Sequence, residues 1–118
     1  MKIEVTKEIV PVIEISGEID YFRAPELESA IDDLILDGNR NLLFDFSKAD
    51  YIDSGGIEVL METLRKISKV GRLNFVTSND DVIRLLDLVG VSRFSTFSLF
   101  SSKDEAMEDF KQVLKKCQ

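Results

Sequence analysis

The run "NLLFDFS", Asn41 to Ser47, constrains the fold more than any other stretch of the sequence. It is too apolar to lie half exposed, so it reads as a central strand covered on both sides. A strand of that kind needs elements packed above and below it. The rest of the chain supplies them, alternating short β-rich runs with helical patterns in the manner of an α/β domain. At 118 residues the chain fits one domain, 1–118, large enough to bury about two-thirds of the surface that its unfolded form exposes.

Around this centre, "IEV" near the start and "IVPVIEIS" from Ile9 to Ser16 read as two strands joined by the tight polar "TKE", hence an antiparallel pair. Pro11 lacks an N–H and belongs at an edge or near the strand start. "APELESAIDDLILDG" reads as a helix, with Pro25 in its first turn and Gly38 as its stop. Its apolar face is Leu27, Ala30, Ile31, Leu34 and Ile35. A second helix is expected from Gly55 to about Val70, with Ile57, Leu60, Leu64 and Ile67 inward. On its polar side Glu62 and Lys66 are spaced for an i,i+4 ion pair.

"RLNFVTS" from Arg72 to Ser78 is the next strand, and Asn79 or Ser78 can cap a short helix, "DDVIRLLDLVG", that Gly90 ends. "RFSTFSLF" from Arg93 to Phe100 reads as an edge strand whose phenylalanines belong to the core. Ser102 with Glu105 forms a capping box for a last helix, with Ala106, Met107, Phe110, Val113 and Leu114 on its apolar face. Right-handed crossovers between the parallel strands then give a mixed, mostly parallel sheet of four to five strands with about four helices.

Composition narrows the chemistry. A net charge of −7 argues against direct contact with nucleic acid, whose binding is driven by clustered Lys and Arg. A protein or a small ligand fits better. No run approaches the ~20 apolar residues of a bilayer span, so no membrane association is expected. The start, "MKIEVTKEIV", lacks the marks of a secretory signal, and Cys117 is the only cysteine. A cytoplasmic location is the expectation, with Cys117 as an incidental thiol. Neither a metal nor a cofactor is expected.

In an open sheet of this kind function gathers where the carboxyl ends of strands run into helix N-termini. The stretch "YIDSGGIEVL", Tyr51 to Leu60, lies at such a junction, and its letters DSGG also surround the active serine of trypsin-like proteases. The chain contains no histidine, so Ser54 has no such base beside it, and the protease reading fails. Three uses stay open. Asp53 or Ser54 could cap the helix. The N–H groups of Gly55, Gly56 and Ile57 could hold an anion, although no Walker lysine follows and Asp50 and Asp53 oppose a phosphate. Ser54 could itself be phosphorylated, a change of roughly −1.5 to −2 in charge that alters a surface without dismantling the fold. Each of two glycines in an opening turn costs about 1 kcal/mol relative to Ala, which suggests that a close approach is wanted there.

The text "FDFSKADYIDSGGIEVL" resembles the hallmark of the anti-sigma factor antagonists, the bacterial single-domain members of the STAS group: a strand ending in D-x-[ST] or similar, a short gap, then D-S-S-G-L or D-S-A-G-L opening a helix. "SGEID" from Ser16 to Asp20 resembles the family's G-E-L-D, and "LLDLVGVSRF" its third helix and the turn into the last strand. The likeness covers nearly the whole chain. Two departures stand out, Gly55 in place of a small residue with a side chain and Glu58 where glycine is frequent.

The resemblance implies a single STAS-like domain that is a binding partner and not an enzyme. It places the phosphorylation site on Ser54, the preceding aspartate on Asp53 and the motif glycine on Gly56. Asp20, Asp53, Ser54, Gly55, Gly56 and Glu58 are the expected partner-binding residues; Asp45 is left out as a loop or solubility residue. The implied partners are an anti-sigma factor with serine kinase activity and a phosphoserine phosphatase. Binding of the unphosphorylated form would release a sigma factor and so regulate transcription. The alternative is a STAS scaffold or subunit of a transport or stress complex, with Ser54 only a helix cap.

Overall fold

The computed structural model describes residues 1–67 and 71–116. Along the chain lie β1 (Lys2–Lys7), β2 (Pro11–Ile19), α1 (Ala24–Leu36), β3 (Asn41–Ile52), α2 (Ser54–Ile67), β4 (Arg72–Val76), α3 (Asp80–Val89), a 3-10 turn (Val91–Arg93), β5 (Phe97–Phe100) and α4 (Lys103–Lys116). The five strands form one sheet in sequence order. β1 and β2 are antiparallel, and every later neighbouring pair is parallel. The expected mixed, mostly parallel sheet with four helices is therefore what the sequence forms.

The apolar run of β3 is explained by two cores. Leu42, Phe44 and Phe46 point into the larger one, shared with α1, α2 and α3, while Leu43 points into a smaller one beneath α4. Tilted rings in contact run across the larger core, with Phe46 and Phe75 4.3 Å apart between centroids and Phe75 and Phe97 6.0 Å apart. Fully burying one such side chain is worth roughly 1.5–3 kcal/mol, so this strip anchors the helices to the sheet.

Several local expectations are revised. β2 and β3 run on to Ile19 and Ile52, well past Ser16 and Ser47, because their second halves pair with each other through two register shifts. Pro11 begins β2, where its missing N–H costs no ladder bond within the strand. The last strand is only Phe97–Phe100, since Val91–Arg93 coils into a 3-10 turn. Lys66 does not pair with Glu62; it reaches across to Asp32 of α1 at 2.6 Å, and Glu62 takes Arg65 at 3.1 Å. The capping box is half formed: Ser102 Oγ accepts the Glu105 N–H at 3.2 Å, but the Glu105 carboxylate takes the hydroxyl of Ser101. The expected end of α2 near Val70, and Cys117, lie outside the described residues.

Caps set both ends of α3. Asn79 accepts the N–H groups of Asp81 and Val82 at 2.9 and 3.3 Å, and Gly90, at φ 77°, closes α3 in the left-handed conformation that glycine tolerates. No helix among the described residues is long and apolar enough to cross a membrane.

Candidate functional site

β2 and β3 are parallel and end in register, Ile19 beside Ile52. Their exits, the loop 20–23 and Asp53, therefore emerge together, and the Asp53 N–H donates to the Ile19 carbonyl at 3.1 Å. The Asp53 carboxylate then organises the junction. Oδ1 accepts the N–H of Gly55 at 2.8 Å and of Gly56 at 3.3 Å, while Oδ2 accepts the N–H of Tyr21 at 3.0 Å. Its carbonyl accepts the Ile57 N–H at 3.0 Å. Asp53 is thus the N-cap of α2, which decides between the two candidates for that role.

Ser54 follows as the first residue of α2. Its side chain is exposed and makes no hydrogen bond among the described residues. Among the described residues no basic side chain is hydrogen-bonded to the hydroxyl, as activation of a nucleophile would require. The anion-loop alternative loses its donors as well, because the N–H groups of Gly55, Gly56 and Ile57 are all engaged by Asp53. Beside Ser54, between the end of β3 and α3, opens a cleft of about 470 Å³ lined by Tyr51, Asp53, Asp81 and Leu85 among others. Among the described residues no group of three or more His, Cys, Asp or Glu side chains is arranged to hold a metal.

The glycine pair answers to packing. Neither residue has a positive φ, so neither is required by its dihedrals. A Cβ on Gly55 would stand 2.6 Å from the Cα of Tyr21, and one on Gly56 would stand 2.6 Å from Ile52 Cγ1 and 2.8 Å from Ile19 Cγ2. Gly56 lets α2 settle on the strand ends; Gly55 lets the loop after β2 lie across the first turn of α2. Both are buried.

Asp20 serves the same loop. Its Oδ1 accepts the Arg23 N–H at 2.9 Å and its Oδ2 pairs with the Arg23 guanidinium at 3.2 Å. Glu58 is exposed one turn beyond Ser54 and lines a groove between α1 and α2. Asp20, Asp53, Ser54, Gly55, Gly56 and Glu58 are in this way gathered at one end of the sheet. Asp45 is not: it lies in mid-strand, buried, and accepts the N–H and hydroxyl of Ser47 at 3.0 and 2.6 Å. Sequence reasoning passed over Tyr21 and Phe22, whose rings stand in water on the loop that Tyr21 lays against the first turn of α2. Two adjacent aromatics just before "RAP" were the available signal.

The STAS domain family model matches residues 1–106. Over 98 residues the chain is 33% identical to the anti-sigma-F factor antagonist RsfB of Mycobacterium tuberculosis, an alignment that spans 83% of this chain and 79% of that protein. The crystal structure of an anti-sigma factor antagonist from Mycobacterium paratuberculosis superimposes with a TM-score of 0.83 at 30% identity, covering 92% of each chain. The anti-sigma factor antagonist SpoIIAA in its unphosphorylated form gives a TM-score of 0.80 over 94% of this chain and 97% of its own. The phosphorylated form of SpoIIAA, from Bacillus, gives 0.71 over 92% and 97%. At 16% and 18% identity these last two show a shared fold. The chain belongs to the STAS domain family, among the anti-sigma factor antagonists.

Proposed function

We propose that this chain is a phosphorylation-controlled protein-binding module. Unphosphorylated, it binds an anti-sigma factor through the surface around Ser54 and so frees a sigma factor for transcription. The anti-sigma factor's serine kinase activity places a phosphate on Ser54, the complex weakens, and a phosphoserine phosphatase restores the binding form. The chain is a ligand and a kinase substrate in this cycle, with no catalytic role and no cofactor of its own, and its place of work is the cytoplasm.

The observation that carries this reading is the division of labour between Asp53 and Ser54. Because Asp53 holds the cap, the Ser54 hydroxyl is exposed and uncommitted, and it can be modified without removing a bond that the fold needs. A scaffold in which Ser54 serves only as the cap does not match that division. Added charge of roughly −1.5 to −2 would stand against Asp53 and near Asp50 and Asp81, carboxylates that line the same cleft. A helix N-terminus tolerates such a charge, so the fold survives while the surface around Ser54 becomes bulkier and more negative.

The test is the affinity for the purified anti-sigma factor of the same organism, measured with wild type, Ser54→Ala and Ser54→Asp. Ser54→Ala is expected to bind as wild type does, and Ser54→Asp to lose at least about tenfold, which is about 1.4 kcal/mol. Equal affinity of Ser54→Asp and wild type would overturn the reading.

A further inference from the structure

The loop between β2 and α1 holds two aromatic side chains in water, with Tyr21 67% and Phe22 88% exposed. The two rings pack edge-on at 6.0 Å and 86° and reach no other ring among the described residues. Burial in the core therefore does not explain them. The loop beneath them is nevertheless fixed at several points. Arg23 and Ala24 donate their N–H groups to Asp20 at 2.9 Å each, Tyr21 donates to Asp53 at 3.0 Å, and the Tyr21 Cα lies against Gly55. Rigidly presented aromatic side chains are the usual anchors of protein interfaces, because little ordering cost remains to be met when they bind.

Beside this corner runs the groove between α1 and α2, about 550 Å³ in volume. Ala24, Ile57 and Met61 contribute its apolar surface, and Glu28, Glu58 and Glu62 stand along it. Arg65 is paired with Glu62, whereas Glu28 and Glu58 have no ion-pair partner among the described residues. Tyr21 closes one end, and the Lys66–Asp32 pair joins the two helices further along. From Ala24 to Asp32 is eight residues, about 12 Å of helix, room for a few side chains and not for a long docked helix.

We propose that Phe22 is the apolar anchor of the docking surface, entering an apolar pocket of the partner, and that the groove receives a short apolar segment of the same partner bearing a Lys or Arg. The partner is the anti-sigma factor, so the proposal rests on the reading given above. Continuity supports a single partner: Gly55 is adjacent to Ser54 and touches Tyr21, so a protein that covers Ser54 also covers the aromatic corner. Charge supports a basic segment, since Glu28 and Glu58 line the groove without an ion pair among the described residues, Glu28 only within electrostatic reach of Lys66, in a chain with net charge −7.

The purified anti-sigma factor of the same organism is titrated into wild type, Phe22→Ser, Glu28→Lys, Glu28→Gln, Ser54→Asp and, as a control on the far side of the sheet, Glu108→Lys. Thermal melts come first; Phe22 and Glu28 are exposed, so those variants are expected to melt as wild type does. Phe22→Ser is expected to weaken binding about 30-fold or more, as loss of a central aromatic anchor does. Glu28→Lys is expected to weaken it about tenfold or more and to flatten its salt dependence. Glu28→Gln should fall between, and Glu108→Lys should bind as wild type does. Wild-type affinity in Phe22→Ser or in Glu28→Lys overturns the proposal for that residue. If both bind normally while Ser54→Asp does not, the docking surface is wrong and the switch stands. If both lose binding while Ser54→Asp does not, the docking surface stands and the switch is wrong.

Discussion

Asp53 Oδ2 accepts the backbone N–H of Tyr21 at 3.0 Å, tying the loop after β2 to the first turn of α2 across 32 positions of sequence. The other oxygen of the same carboxylate caps α2 through Gly55 and Gly56. Asp53→Ala removes all three bonds. A cap alone is worth about 0.5–2 kcal/mol, so a loss of about 2 kcal/mol is expected. For a chain of this size that corresponds to roughly 8 °C in the thermal midpoint, read by circular dichroism. Asp53→Asn keeps one acceptor oxygen and should lose about half as much.

Ser54→Ala should leave the midpoint almost unchanged, within about 0.5 kcal/mol, because the exposed hydroxyl caps nothing. A loss comparable to that of Asp53→Ala would return the cap to Ser54 and remove the main support for an uncommitted hydroxyl.

Gly55→Ala improves helix propensity by about 1 kcal/mol in an isolated helix, yet here the added methyl meets backbone 2.6 Å away at Tyr21. Backbone cannot swing aside as a flexible side chain can. The expected outcome is a net destabilisation of about 1–3 kcal/mol in chemical denaturation, together with shifted Tyr21 and Phe22 backbone signals in an NMR spectrum.

The Lys66–Asp32 pair supplies a pH test of the α1–α2 contact. The Lys66 ammonium is held above its ordinary value chiefly by its hydrogen bond to the Asp32 carboxylate, with Glu28 and Glu62 adding to the effect. A raised folded value means that the contribution is complete below the unfolded lysine pKa of about 10.4 and is lost as pH rises through the folded value. Both side chains are more than a third exposed, so screening limits the pair to about 0.5 kcal/mol or less. Urea denaturation should therefore show Lys66→Met less stable than wild type by about that amount near pH 7, with the gap narrowing above about pH 10.4.

Much of this was legible in the sequence, and the limits have physical causes. The run Leu42–Phe46, apolar but for Asp45, announced a strand buried on both faces, because alternate residues feed two different cores. The second half of β3 was not legible: "KADYI" lies beyond the expected strand end at Ser47, and its pairing with Ser16, Gly17, Glu18 and Ile19 holds it extended. The glycine pair signalled a close approach without naming the neighbour, since Tyr21 is far away in the chain and adjacent only in space. Asp53 and Ser54 are both good caps by residue type, and only the geometry assigns the task to Asp53. Lys66 had an acceptor at the right helical spacing, but α1 brought Asp32 nearer.

The most direct measurement is the intact mass of the chain after incubation with ATP and the anti-sigma serine kinase of the same organism. The expected result is a single added phosphate on wild type and none on Ser54→Ala, whose unchanged melt shows the fold to be whole. No phosphate on wild type, or equal addition to Ser54→Ala, would contradict the assignment of Ser54 as the switch.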